Sequence, residues 1–67
     1  MNTKQTLEIY VNNMESALNL DLPSCFRYWD SMAILTINTN KLEPEYKPFI
    51  DKYNSIKARA KELGIVK

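Results

Sequence analysis

The apolar residues of this chain recur at steps of three and four, and its three prolines fall only at or near the starts of those runs. That spacing is one face of an α-helix. Proline is welcome in a first helical turn, where its missing N–H would have had no partner, and is excluded from a helix interior. Together the two signals divide the chain into three helices. Leu7, Tyr10, Val11, Met14, Ala17 and Leu18 line one face of a first helix over residues 3–20, with Asn2 or Thr3 as its N-cap. Leu22, Phe26, Trp29, Ala33 and Ile37 share a face of a second helix, Pro23 to Asn38, with Cys25 and Thr36 beside them. Tyr28, Met32 and Leu35 form another apolar strip nearly opposite. Asn38 to Lys41 reads as a loop.

Tyr46, Phe49, Tyr53, Ile56, Ala60 and Leu63 repeat as a heptad seam flanked by Ile50, on a third helix that ends at Leu63. It begins at Pro44, or at Pro48 with a short irregular turn before it. Gly64, the only glycine, then serves as the C′ cap, with Ile65 folding back in the Schellman manner. The expected architecture is one all-α domain over residues 1–67 that oligomerises through helix 2, the helix 3 seam, or both. A competing α+β reading exists. Leu7, Ile9 and Val11 alternate with Thr6, Glu8 and Tyr10, and residues 33–39 are rich in β-branched side chains, so 6–11 and 33–39 are candidate paired strands.

The missing residue types exclude several function classes. Histidine, the usual general base and commonest transition-metal ligand, is absent. One glycine is too few for a dinucleotide fingerprint or a P-loop. No cofactor, metal or catalytic residue is expected, and the chain reads as a non-enzyme. A single cysteine permits no internal disulfide, which for a domain this small points to a reducing, cytoplasmic setting. Residues 1–6 show no secretion signal. The longest uncharged run, Ser31 to Asn40, is about half the length of a bilayer helix, so no membrane span is expected.

Individual candidates carry little chemistry. Cys25 sits in the first turn of helix 2, where a helix dipole favours thiolate, but with no histidine to pair it reads as a small buried apolar residue beside Phe26. Asp21 and Asp30 read as solvated surface or helix-end charges. Glu43 and Glu45 complement the dipole of helix 3.

Charge is close to neutral overall, at +1, and unevenly placed. Residues 1–40 hold two basic and four acidic side chains, whereas residues 41–67 hold seven basic and four acidic. Lys52, Lys57, Arg59 and Lys61 on helix 3 are therefore candidate phosphate contacts for a nucleic acid. Helical geometry places Lys52 and Arg59 on one flank of the apolar seam and Lys57 and Lys61 on the other. Basic stems flanking a seam are what coiled-coil edges use, so nucleic acid is the second choice.

The more informative run is Phe26 to Met32. Tyr, Trp and Arg dominate binding hot spots because they bury much area and keep a polar handle. Phe26 and Trp29 are expected to face the core. Three short helices cannot bury both sides of helix 2, so Arg27, Tyr28, Trp29, Met32 and Leu35 are the candidate partner-binding residues. The expected function is a small regulator, inhibitor or adaptor, of the kind mobile elements encode, that binds itself or a larger protein.

Overall fold

A computed structural model describes residues 3–40 and 43–65. Three α-helices follow one another: α1, Thr3–Asn19; α2, Pro23–Asn40; and α3, Lys47–Glu62, preceded by a 3₁₀ turn at Pro44–Tyr46. Among the described residues there is no strand. The α+β alternative fails at both proposed segments. In 6–11, Leu7 and Val11 are buried together as i and i+4 of α1, while Ile9, the third residue of the alternating set, is exposed. In 33–39, Ala33 and Ile37 are buried in the same i, i+4 relation. The threonine hydroxyls of that segment donate to carbonyls one turn back, Thr36 to Met32 and Thr39 to Leu35, both at 3.0 Å. β-Branched residues here are held in a helix by tertiary burial and by local back-bonding, which together outweigh their propensity.

The turn between α1 and α2 is only three residues long, and its hydrogen bonds explain how so short a link reverses the chain. Asp21 lies in the left-handed region at φ 56°. Its N–H donates to the Leu18 carbonyl at 3.2 Å, and that of Leu22 reaches back to Ala17 at 2.9 Å. This is the Schellman pattern, with Asp21 where glycine usually stands. Leu22 then accepts the first bond of α2, from the Phe26 N–H at 2.9 Å. One residue thus closes α1 and opens α2, which fixes the two helices side by side.

The far end of the chain repeats the device with its usual residue. Gly64 has φ 79°, its N–H bonds the Lys61 carbonyl at 3.1 Å, and the Ile65 N–H bonds Ala60 at 3.0 Å. Ile65 packs back on the core as expected. Leu63, placed on the seam by its spacing, is 64% exposed because it caps the helix and Ile65 takes the covering position. Both prolines of the third element begin a helical segment: Pro44 opens the 3₁₀ turn and Pro48 the first turn of α3. The helix therefore starts near Pro48, with the short turn before it. The α2 helix runs two residues past its expected end, to Asn40, where the Asn40 side chain donates to the Thr36 carbonyl at 2.8 Å. Lys41 and Asn2, named for the loop and the N-cap, lie outside the described residues.

The core lies along the α1–α2 contact, with α3 laid mainly on α1. Leu7, Val11, Met14, Ala17 and Leu18 meet Phe26, Ala33 and Ile37, and α3 and its 3₁₀ turn add Tyr46, Tyr53, Ile56 and Ala60. The heptad seam is therefore mostly engaged inside the domain, leaving only its end residue Leu63 well exposed. Leu22, expected on the core face, is also largely exposed, since it belongs to the turn and precedes the first buried position of α2.

The left-handed residue at position 21 gives a direct test of this turn. Asp21 stands between the end of one helix and the start of the next, where the two dipoles act on its charge with opposite sign. Substitution Asp21→Gly thus reports mainly backbone conformation and is expected to stabilise the domain by about 0.5–1 kcal/mol. Gly64→Ala should destabilise it by about 1 kcal/mol for the same reason. At about 4–8 °C per kcal/mol, thermal unfolding resolves both shifts.

Candidate functional site

The four basic candidates on α3 separate onto two flanks, and three of them are engaged with the other helices. Lys52 Nζ bonds Asn12 Oδ1 at 2.9 Å and lies 3.6 Å from Glu15. Arg59 bonds Asn19 Oδ1 at 3.1 Å and lies 3.9 Å from the other oxygen of Glu15. Asn12, Glu15 and Asn19 are successive positions on one side of α1, so this row is the side that faces α3. Lys57 reaches the opposite way, to Asp30 on α2 at 2.6 Å. Lys61 is exposed in the last turn. Basic heads thus lie on both flanks of a buried seam, and Lys52, Lys57 and Arg59 each meet a carboxylate or an amide of their own domain.

Asp30 corrects the sequence reading, which took it for a solvated surface charge. Its side chain is only 16% exposed. One carboxylate oxygen accepts from the Tyr53 hydroxyl at 2.5 Å and the other from Lys57 at 2.6 Å. Because α3 lies mainly on α1, long side chains span the gap to α2, and Asp30 is where they end. Burial, then the hydrogen bond to Asp30, then the charge of that carboxylate, push the Tyr53 phenol well above its ordinary range. A phenol so held is a structural donor, poorly suited to giving up its proton at neutral pH.

Cys25 requires the second correction, since it is exposed where burial was expected. It stands one step before Phe26 and so about 100° away around α2, in line with Tyr28 and Met32 on the outer side. The hot-spot run is divided in the same way. Phe26 is fully buried, and Arg27 is exposed on the side of the helix that carries Asp30, three residues on. Trp29 is half-buried against Tyr10 of α1, centroids 5.8 Å apart, and meets Tyr28 edge-on at 4.9 Å. Tyr28 is 58% and Leu35 66% exposed, with Met32 half-buried between them. The structure brings Tyr28, Trp29, Met32 and Leu35 onto one outward-facing surface and leaves Arg27 off it.

Sequence reasoning missed what the polar residues of that helix do. Ser31 Oγ donates to the Arg27 carbonyl at 3.0 Å, as Thr36 and Thr39 do to theirs. These hydroxyls meet their hydrogen-bonding needs within α2, so covering the helix with another surface strands none of them. A Ser/Thr spacing of one turn to a backbone carbonyl is the signal that was available. From Ser31 to Asn40 the helix carries no charge. Comparison of the chain with family models, curated proteins and solved structures finds no match.

The Tyr53 environment sets a pH dependence. In the unfolded chain the phenol ionises near pH 10; in the folded domain it ionises higher. This group's share of stability is therefore complete below about pH 10 and is lost as pH rises through the folded value. Tyr53→Phe should flatten the alkaline fall in unfolding free energy relative to the native chain, the lysine contributions being common to both. Unfolding free energies from denaturant titrations that fall equally steeply with pH in both chains above that pH would contradict the assignment.

Proposed function

We propose that the protein is a non-enzymatic interaction module whose contact surface is the outer face of α2, built from Tyr28, Met32 and Leu35 with Trp29 at its edge. One observation carries this reading: a solvent-facing, largely apolar helix strip, uncharged over the last ten residues of α2, where the hydroxyls of Ser31, Thr36 and Thr39 are bonded within the helix. Outer faces of small domains ordinarily carry charge, because charge keeps a surface wet. This strip instead loses little on dehydration and presents an aromatic and aliphatic surface of the sort that anchors protein interfaces. A regulator, adaptor or inhibitor needs no more chemistry than this.

Phosphate binding by α3 is disfavoured by the engagement of Lys52, Arg59 and Lys57 with Glu15 and Asp30, since a nucleic acid would first have to displace those carboxylates, and of the four candidates only Lys61 is left without one among the described residues. The paired cations stabilise the domain's own helix packing.

A photo-crosslinking residue at position 35, expressed in the native host, is expected to form discrete protein adducts. The same residue at Ser55, on the outer side of α3, should form none. Adducts equal at both positions, or absent from position 35, would contradict the reading.

A further inference from the structure

We propose that the occupant of this surface is a second copy of the chain, docked face to face across a two-fold axis on the side of the α1–α2 pair that lies away from α3. The inference rests on the α2 reading above and extends it to α1.

The argument starts from where the charges are. On α1 they are Lys4, Glu8 and Glu15, which fall at i, i+4 and i+11 and so share the row of Asn12 and Asn19 that faces α3. On α2 they are Asp30, which Tyr53 and Lys57 reach, and Arg27, exposed three residues before it on the same side. The opposite rows carry none. On α1 that side is Thr6, Ile9, Asn13 and, just past the helix, Leu20; on α2 it is Cys25, Tyr28, Met32 and Thr39, with Leu35 at its outer edge. Tyr10 and Trp29 join the two helices between these rows. Glu15 and Asp30 meet α3, Lys4, Glu8 and Arg27 share their rows, and the two-helix surface behind them carries no formal charge along either helix, Asp21 lying at its end in the turn.

A two-fold axis explains that pattern better than a different partner does. An isologous contact sets a patch against its own copy, so residues near the axis meet themselves. A charge there meets its like, at a cost of several kcal/mol in an interface. Asn, Thr, Tyr, Met and Trp pair with their own kind without penalty, the amide and hydroxyls because each both donates and accepts. A surface selected by an unlike partner has no such restriction and ordinarily uses complementary charge for steering and register. The size is also suitable. Helices of about 25 and 27 Å lying 8–10 Å apart present on the order of 500 Å² in projection and more in accessible area, close to the roughly 800 Å² per partner of a standard interface.

Sedimentation equilibrium on the purified full chain, from low micromolar to millimolar concentration, tests this. The mass is expected to rise from 7.8 kDa toward twice that value. Leu35→Glu, at a site too exposed to disturb folding, and Asn13→Asp on α1 should each weaken association by at least about tenfold, since a two-fold contact counts every substitution twice. Ser55→Glu should leave it unchanged. Circular dichroism confirms that each variant is folded. A wild-type mass of 7.8 kDa throughout overturns the second-copy proposal, as does a dimer that the Leu35 and Asn13 variants leave intact. If that monomer still forms position-35 adducts with another protein, the interaction reading stands and only its occupant is wrong.

Discussion

The packing of α1 along α2 is the contact on which the rest of the structure depends, and a three-residue turn enforces it. Asp21 in the left-handed region lets Leu22 serve both as the third residue after α1, whose N–H closes it, and as the residue whose carbonyl starts α2. Once the two helices lie together, Leu7, Met14 and Phe26 are fully buried between them and the rotation of each helix is set. That rotation decides which side chains face α3 and which face outward. The third helix adds its seam to the core and is held by polar contacts on both flanks, to Glu15 and Asn19 on one side and to Asp30 on the other.

A domain of this size buries only about 60% of the surface its unfolded chain exposes, so its core is small and its margin of stability narrow. Disulfide and histidine-metal stapling are unavailable to a chain with one cysteine and no histidine. In that setting the treatment of charge is informative. Glu15 and Asp30 tie α3 to the other two helices, and the opposite side of α1 and α2 carries no formal charge. The threonine and serine hydroxyls, folded back on their own helix, act in the same direction. Helix packing and the proposed contact surface follow from a single arrangement of residues.

Most of the fold was legible because helical spacing, proline position and the Gly64 cap all agree, and agreement across levels is what specifies a structure. The outward strip of Tyr28, Met32 and Leu35 followed from the same spacing. Asp30 was misread because its partners, Tyr53 and Lys57, lie 23 and 27 residues away, and no local pattern announces a contact at that separation. Cys25 was misread because its residue type, usually buried, outweighed its angular position one step off the core face. The neutrality of the α1 outer face was present in the sequence but had no meaning until Lys52 and Arg59 showed which row of α1 looks toward α3.

The central claim is that the charge-free side of the α1–α2 pair is a surface made to be covered. Amide chemical shifts followed through a dilution series of the purified chain test it most directly. The account predicts concentration-dependent shifts at Ile9, Asn13, Tyr28, Met32 and Leu35, with Asn54, Ser55 and Ala58 on α3 unmoved. Shifts that gather on α3, or none anywhere while Leu35 also fails to crosslink in the host, would contradict it.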